Sequence, residues 1–506
     1  MLPNEISYLF LTKQQMQALT ILLHLHPGEV LLLNIEKQLG ISKRQVKRIA
    51  DNLNEEFEEL EFSGMTPPAL EICDGLLQFV PKLQDAEYVQ LINCLKEKYM
   101  SVSGLYQVLM YVLEKRSFTL IQLASALAYS ESYAYKLLGR LKKFLKLLNN
   151  GIHLTKKDEL TIALAGDESA IRMLHYLTVM IVLNGNTWLF QSIKEEEIVT
   201  VQTYLHSRRY NELSPLNRNR ANTIFAIYES ALRNNCHIPQ LPEAVLSLGR
   251  YMNKEKEIPL YLKYLKKENL GNNDQLHQEL VHLAYVINYF TQELRTKKEK
   301  VGLGKGLCSM EDHEIVQPCF ELVNKIRTEF PLSDENYYFL IYTLCNRLVV
   351  IHYLELYKYM LFDDTVNFTG EAEHFIGDTM DEVFKMYRKQ PSFAWLKNSF
   401  TQIIVGYLTL SANTTQKVYV EFLIKPEYKS VIENSLSLQY SEKVLKIVEE
   451  YSQANIVISD NCPADSQKKY FFFRDVFDQS AWKNLGAYLN ETIKDEVIKN
   501  VRLSKF

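Results

Sequence analysis

The chain lacks the sequence features that define disulfide-linked, zinc-binding and secreted proteins. Its seven cysteines are odd in number, scattered, and never spaced as C-x-x-C. Disulfide scaffolds and zinc sites need paired or clustered cysteines, so neither is expected, and a reducing compartment fits. The first residues contain no basic segment followed by a long apolar run, so no signal peptide is predicted.

Long hydrophobic runs free of polar residues are also missing. The best membrane candidate, residues 337–357, carries Asn346, Arg347, His352 and Glu355. Such side chains are costly in hydrocarbon, so this segment is predicted to be a buried helix of a helical bundle. We therefore expect a cytoplasmic protein with no membrane partner.

Charge of one sign is not in excess. The net charge is −4 over 506 residues, so no overall field attracts the chain to nucleic acid. Any DNA affinity must come from local basic patches, and the acidic run at residues 55–61 opposes promiscuous binding. If the chain binds DNA, these properties favour a selective or assisted binder over a protein that coats DNA.

Motifs of the common enzyme classes do not occur. The chain has no H-E-x-x-H, no G-x-S-x-G elbow and no G-x-x-x-x-G-K-[ST] loop. The glycine-rich residues 301–307 follow helical sequence rather than a strand, so they are predicted to be a flexible basic connection. No catalytic residue, metal ligand or cofactor is predicted, and the chain is not expected to be an enzyme.

Residues 31–57 have the pattern of two helices joined by a tight turn. Gly40 supplies the turn, and Ser42 stands at the N-cap position of the second helix. In that helix Val46 and Ile49 recur at helical spacing and must face inward, which puts the basic side chains outside. A helix-turn-helix presents such a face to the major groove, although an ordinary solvated helix has the same pattern. The predicted DNA contacts of this unit are Ser42, Lys43, Arg44, Lys47 and Arg48.

A second, similar pattern strengthens the prediction of DNA binding. Residues 118–148 again combine a bracing helix, a polar turn and a longer basic helix, and residues 152–164 could pair as a two-stranded wing. A hairpin around Asp74-Gly75 would be the wing, or the exit, of the first unit. Two such units in tandem are harder to obtain by accident than one. The predicted DNA contacts of the second unit are Ser132, Tyr133, Lys136, Arg140 and Lys143.

The rest of the chain divides by its periodicity. Helix-period sequence runs almost without interruption to about residue 391, and after residue 400 strands alternate with helices, which predicts a small α/β domain with a parallel sheet. The predicted domains are a first helix-turn-helix domain at 1–83, a second, winged one at 84–166, helical domains at 167–300 and 301–395, and an α/β domain at 396–506.

Eight of the eleven histidines lie in the two helical domains. His206 is followed closely by four arginines (Arg208, Arg209, Arg218 and Arg220). A histidine lined by cations suits the binding of an anion, including a phosphoryl group on the imidazole. An ordinary structural or surface role is the alternative for every histidine.

The order of these parts resembles the Mga/AtxA family of Gram-positive transcriptional regulators. The resemblance rests on GISKRQVKRIADNLN, on LASALAYSESYAYKLLGRLKKFLK and on the block order. It implies that the helical domains are PTS-regulation domains (PRDs), whose histidines are phosphorylated by the phosphocarrier protein of the sugar phosphotransferase system. It also implies a carboxy-terminal domain similar to the EIIB component of sugar permeases, homodimerisation through it, and control of virulence or adaptation genes at promoter DNA.

The resemblance also indicates which residues would carry phosphate. The candidates are His206, His175 and His282 in the first helical domain and His352 and His374 in the second. EIIB domains that carry phosphate do so on a cysteine just after the first strand. Here Lys425-Pro426-Glu427 follow that strand, and the nearby Cys462 follows the second strand. The domain is therefore expected to have lost phosphotransfer and kept its fold for assembly.

Two other functions fit parts of the sequence. The chain could be a helical interaction scaffold whose helix-turn-helix units bind protein, or an RNA antiterminator controlled by the phosphotransferase system. Antiterminators begin with a small β-rich RNA-binding domain, whereas residues 1–115 are mostly helical in pattern. The sequence favours a DNA-binding regulator with a mainly α fold: tandem winged helix-turn-helix units, two all-helical PRD-like bundles and a small α/β EIIB-like domain.

Overall fold

The computed structural model is mainly helical, with three small sheets among the residues that it describes. The chain forms two compact bodies, the first from residues 1–296 and 346–364, the second from residues 297–345 and 365–506. Among the described residues, no helix is both long enough and apolar enough to cross a membrane. The described residues are 10–25, 28–60, 67–182, 188–198, 208–252, 273–359, 371–411, 415–422, 425–442, 444–461, 468–473 and 475–503.

A winged helix-turn-helix domain opens the first body and is called the first winged domain here. Its elements are α1 (Lys13–His24), β1 (Glu29–Leu31), α2 (Leu32–Leu39), α3 (Lys43–Glu58), β2 (Ala69–Cys73) and β3 (Leu76–Val80). The strands form an antiparallel sheet in the order β1-β3-β2. The hairpin predicted around Asp74-Gly75 is confirmed. The sequence pattern does not reveal β1, because three residues are too few to show an alternation.

The second winged domain repeats this order of elements after the connecting helix α4 (Asp85–Ser101). It comprises α5 (Gly104–Lys115), β4 (Ser117–Thr119), α6 (Leu120–Ala126), α7 (Glu131–Leu148), β5 (His153–Lys156) and β6 (Thr161–Ala165). Its sheet has the order β4-β6-β5, which matches β1-β3-β2 position for position. The predicted pairing of two wing strands is confirmed, and β4 adds a third strand that the sequence pattern does not predict.

The remainder of the first body is helical. Its elements are α8 (Glu168–Val182), α9 (Arg208–Glu212), α10 (Pro215–Arg233), α11 (Glu243–Met252), α12 (Asn273–Phe290), a 3-10 turn (Gln292–Leu294), a π-helical turn (Val349–Tyr353) and a second 3-10 turn (Leu356–Tyr359). Tyr106 in α5 donates a hydrogen bond to the Thr178 carbonyl of α8 at 3.1 Å. The hydroxyl of Tyr359 donates to the Ala170 carbonyl at 2.7 Å. The first contact joins the second winged domain to α8, and the second joins α8 to the 3-10 turn at 356–359.

The second body begins with helices. They are α13 (Lys297–Leu307), a 3-10 turn (Cys308–Met310), α14 (Val316–Glu329), α15 (Asp334–Leu348), α16 (Glu371–Val383) and α17 (Phe393–Ser411). The prediction of a flexible connection at residues 301–307 is wrong, because α13 continues through them. Gly304 explains this: a Cβ there would lie 1.9 Å from the Tyr338 carbonyl oxygen, so the glycine permits close packing of α13 on α15.

A parallel sheet organises the carboxy-terminal part. The elements are β7 (Gln416–Glu421), α18 (Tyr428–Gln439), β8 (Leu445–Ile447), a 3-10 turn (Tyr451–Gln453), β9 (Ile456–Ser459), β10 (Lys469–Phe472) and α19 (Gln479–Leu503). All neighbouring strands in the order β10-β9-β7-β8 are parallel. Val418, Ile456 and Ile458 are fully buried in the core under α18 and α19. The predicted small parallel α/β arrangement is present, with β8 as an additional edge strand.

Candidate nucleic-acid interface

The basic face of α3 is held outward by a capped and well-buried helix. Gly40 ends α2 in the left-handed conformation at φ +60°, and the Ser42 hydroxyl accepts a hydrogen bond from the Gln45 amide. Val46 and Ile49 are buried, which fixes the rotation of α3 about its axis. The predicted contact residues are all exposed: Ser42, Lys43, Arg44, Lys47 and Arg48.

The helix α7 presents a longer basic face. Its N-cap is Ser130, whose hydroxyl accepts from the Tyr133 amide at 3.3 Å, and Asn149 ends the helix in the left-handed conformation. Leu137, Leu141 and the other apolar residues of the stripe are buried. The predicted contacts all remain exposed: Ser132, Tyr133, Lys136, Arg140 and Lys143. Tyr133 also packs edge-on against Tyr129 with ring centroids 5.0 Å apart, so its ring is held in place at the helix start.

The basic side chains of both faces have no carboxylate partner among the described residues. This holds for Lys43, Arg44, Lys47, Arg48, Lys136, Arg140 and Lys143. A cation that is already paired gains less from a phosphate, because the first partner must be given up. These side chains are therefore available to neutralise DNA phosphates.

The two faces differ along their length. On α3, the outward line that begins with Arg44 and Arg48 continues with Asp51 and Glu55, both exposed. On α7, the outward line stays basic through Lys143 and includes the exposed Lys146, which sequence reasoning missed. The acidic second half of α3 would repel phosphates, whereas the outward face of α7 is basic along its length.

The wings differ as well. The first wing carries the exposed acids Glu71 and Asp74, whereas the second carries the exposed Lys156 and Lys157 before its turn. Asp158 orders that turn by accepting hydrogen bonds from the Leu160 and Thr161 amides at 2.9 and 2.7 Å. Sequence reasoning did not select the two lysines. A lysine pair at the tip of a hairpin after a basic helix was the signal available.

Replacing Ser130 by alanine should lower the thermal stability of the second winged domain. The change removes the hydroxyl that accepts the Tyr133 amide, which costs about 1 kcal/mol at an N-cap. Ser132→Ala is the matched control, because Ser132 lies inside the helix, where alanine is slightly favoured. Thermal unfolding of both variants measures the difference. Equal midpoints would show that the Ser130 cap does not stabilise α7.

Buried charges join the second winged domain to the helices that follow it. Arg116, at the end of α5, donates to Glu168 at 2.9 Å, and Arg172 donates to the same carboxylate at 3.1 Å. Arg172 also pairs with Glu279 of α12 through two hydrogen bonds of 2.6 and 3.1 Å, and its guanidinium lies 4.5 Å from the centre of the Tyr228 ring. We call Arg116, Glu168, Arg172 and Glu279 the buried ion network. It fixes α5, α8 and α12 relative to one another.

Two of the five candidate phosphohistidines lie in the core of the first body. His175 has no exposed surface, and burial together with Arg116 lowers its pKa well below the usual value. His282 is 2% exposed, and its two ring nitrogens contact the hydroxyls of Ser169, at 2.5 Å, and of Tyr228. Burial and the Arg172 cation lower the pKa of His282 to about 3. Both imidazoles are therefore neutral at pH 7 and closed to a protein phosphate donor.

The other candidates lie elsewhere. His206 is outside the described residues. His352 is half-buried in the π-helical turn of the first body, and His374 is exposed on α16 of the second. Lys425-Pro426-Glu427, which follow β7, are exposed, and Cys462 is outside the described residues. Among the described residues, no three His, Cys, Asp or Glu side chains are arranged to bind a metal ion.

A comparison with known protein families finds a match to the second winged domain. Residues 89–178 match the family model described as the Mga helix-turn-helix domain, which spans α5, α6, α7 and the wing and reaches into α8. No curated protein matches the chain. The matched residues include the exposed basic face of α7 and Arg116 of the buried ion network. The second winged domain is thus similar to the Mga helix-turn-helix domain, and this similarity supports a DNA-binding regulator of the Mga type.

Proposed function

We propose that this chain is a dimeric transcriptional regulator that places two basic helices per chain, α3 and α7, in the major groove of promoter DNA. One observation supports this above all. Two consecutive winged domains each expose cations without carboxylate partners among the described residues, on the helix that precedes the wing. In winged helix-turn-helix proteins that helix contacts base edges, while the flanking groups contact phosphate. The proposed DNA contacts are the ten exposed residues on α3 and α7 given above.

The helices α3 and α7 would contribute unequally to DNA binding. The first turns of α3 offer Arg44 and Arg48, which can pair bidentately with guanine or with phosphate. The face of α7 offers Lys136, Arg140 and Lys143 over about two turns, and the second wing adds further cations. With a net charge of −4, the chain has no overall attraction to DNA, so affinity depends on these local contacts.

Salt dependence of binding to a labelled duplex of about 30 base pairs tests the proposal. We expect the affinity to fall steeply with added salt, and the slope to decrease by about 0.9 for each phosphate contact removed. Two double variants, Arg44→Ala/Arg48→Ala and Lys136→Ala/Arg140→Ala, should each weaken binding by roughly tenfold or more at low salt and flatten the slope. Fluorescence anisotropy from about 50 to 200 mM salt measures both quantities.

A charge-matched control separates local contact from net charge. Lys385→Ala/Arg388→Ala removes two exposed cations outside the winged domains and should leave the affinity and the slope unchanged. Wild-type protein that fails to bind duplex DNA at low salt would contradict the proposal and favour the helical interaction scaffold. Equal losses in all three double variants would attribute binding to net charge rather than to α3 and α7.

Phosphorylation of histidines by the phosphocarrier protein of the phosphotransferase system is the regulatory part of the proposal. The burial of His175 and His282 disfavours both as acceptors, which leaves His206, His352 and His374. A phosphoryl group adds about −1.5 to −2 charges at neutral pH. Placed near an interface of PRD-like helices, this charge would bias dimerisation and thus the spacing of the paired winged domains on DNA.

Dimerisation is proposed through the carboxy-terminal domain. Its four parallel strands and covering helices fit an EIIB-like fold, and its two edge strands are β8 and β10. Large apolar side chains are exposed in this part of the chain: Leu438, Phe472 and Phe477. Exposed apolar surface of this kind is typical of association sites. In the proposal this domain assembles the dimer without carrying phosphate, because no cysteine follows β7 directly.

A further inference from the structure

Gly139 lies in the middle of α7, where the packing of the chain does not require glycine. The residue is exposed, and a Cβ built on it would have no atom of the described residues within 4 Å. Glycine in an exposed helix interior is destabilising relative to alanine, because it loses more backbone freedom on folding. A reason for this glycine must therefore be sought outside the folded domain.

The position of Gly139 on the helix is the second observation. Residues three and four positions away are its neighbours on the helix surface. Here they are Tyr135, Lys136, Lys142 and Lys143, all of which are exposed, and 72% of Tyr135 is accessible. The buried apolar stripe of α7 lies on the opposite side. Gly139 is thus an area of bare helix backbone at the centre of the outward face, surrounded by three lysines and a tyrosine.

The helix α3 of the first winged domain has no such area. Its outward line passes from Arg48 to Asp51 and Glu55, which repel phosphates in the half of the helix where α7 has Gly139 and Lys143. The two helices therefore cannot approach a duplex in the same way. Only α7 has both the charge and the free space to lie close to DNA at its middle.

We propose that α7 makes its closest approach to the DNA duplex at Gly139, with the helix backbone against the groove and the surrounding lysines on the phosphates. The inference rests on the proposed function, since it specifies how the second winged domain contacts DNA. The absence of a side chain lets the helix axis come nearer to the base edges, and this allows Lys136 and Lys143 to reach phosphates on both sides. Gly139 then affects the affinity because it leaves room for the DNA, and not because its own side chain contacts the DNA.

The test separates stability from binding. Gly139→Ala should raise the thermal midpoint by about 1–3 °C, because alanine favours the helix and its Cβ meets no atom in the described part of the chain. The same variant should bind a fluorescein-labelled 30-base-pair duplex about tenfold more weakly at low salt, and Gly139→Leu more weakly still. Gly302→Ala is the matched control, since Gly302 also lies within a helix with open space around it. It should retain wild-type affinity.

A more stable Gly139→Ala protein with lower affinity and a flatter salt slope supports the inference. Gly139→Ala and Gly139→Leu with wild-type affinity would overturn it while leaving the proposed function intact, provided that the wild type binds DNA. Equal losses in Gly139→Ala and Gly302→Ala would also overturn it, because the effect would then be general to helix stiffening. Wild-type protein that does not bind the duplex would remove the proposed function and this inference together.

Discussion

Replacing Arg172 by methionine should lower the free energy of unfolding of the first body by about 3–5 kcal/mol. Arg172 is 2% exposed and is the cation between the carboxylates of Glu168 and Glu279. Burial alone would raise the pKa of the Glu279 carboxyl, but the Arg172 charge brings that pKa down to about 2. Methionine fills a similar volume but leaves buried negative charge insufficiently compensated, which is more costly than the loss of a surface ion pair. Urea unfolding followed by circular dichroism measures the change.

Two further variants separate the ion network from general effects of losing a cation. Lys325→Met removes a cation whose partners Glu321 and Glu382 lie at the surface, so its effect should stay within about 1 kcal/mol. Adding Glu279→Gln to Arg172→Met should recover part of the loss, because the stranded Glu279 charge is removed as well, while Glu168 keeps its partner Arg116. A single Arg172→Met variant as stable as Lys325→Met would show that the network does not hold the first body together.

The buried ion network also has a consequence for DNA binding. One member of the network, Arg116, lies at the end of α5. The neighbouring Glu114 carboxylate accepts hydrogen bonds from the Ser192 amide and hydroxyl at 2.9 and 2.6 Å. The helix α5 packs beneath α7, the basic helix of the second winged domain. A loosened network would therefore leave α7 less firmly positioned. In the proposed function, the position of the basic face of α7 thus depends on charges buried in the first body.

Local pattern predicts the winged domains well. Apolar residues at helical spacing place Val46 and Leu137 inward, and the Ser42 cap and the hairpin at Asp74-Gly75 each depend on a few neighbouring residues. The same locality explains why the exposed faces of α3 and α7 follow from sequence alone. When the apolar residues on one side of a helix are buried, the residues on the opposite side must be exposed.

Long-range contacts could not be predicted in this way. Arg172 and Glu279 are 107 positions apart, and neither residue stands in a pattern that marks it as buried. His282 looked like a possible phosphate acceptor because sequence does not show that Tyr228, 54 positions away, covers its ring. Gly304 suggested flexibility because glycine is common in loops, whereas here it permits two helices to pack closely.

Lowering the pH from 7 to 5 should destabilise the first body, with His282 alone contributing about 2 kcal/mol. The pKa of His282 is about 3 in the folded chain and about 6.5 when unfolded. Below pH 6.5 the unfolded chain therefore binds a proton that the folded chain excludes, and stability falls as the pH falls towards the folded pKa. His175 acts in the same direction, since burial and Arg116 lower its pKa too. Urea unfolding at pH 7, 6 and 5 measures the slope.

Removing the imidazole tests the origin of that slope. His282→Asn should be less stable than the wild type at pH 7, because the contacts to Ser169 and Tyr228 are disturbed, but its stability should depend less steeply on pH. His374→Asn, at an exposed position, should keep the wild-type slope. The lowered pKa of Glu279 does not interfere, because that carboxylate loses its contribution only below about pH 4.5. Parallel pH profiles for the wild type and His282→Asn would show that another group excludes the proton. A flatter profile would instead identify His282 as a buried neutral histidine, whose protonation requires the first body to open.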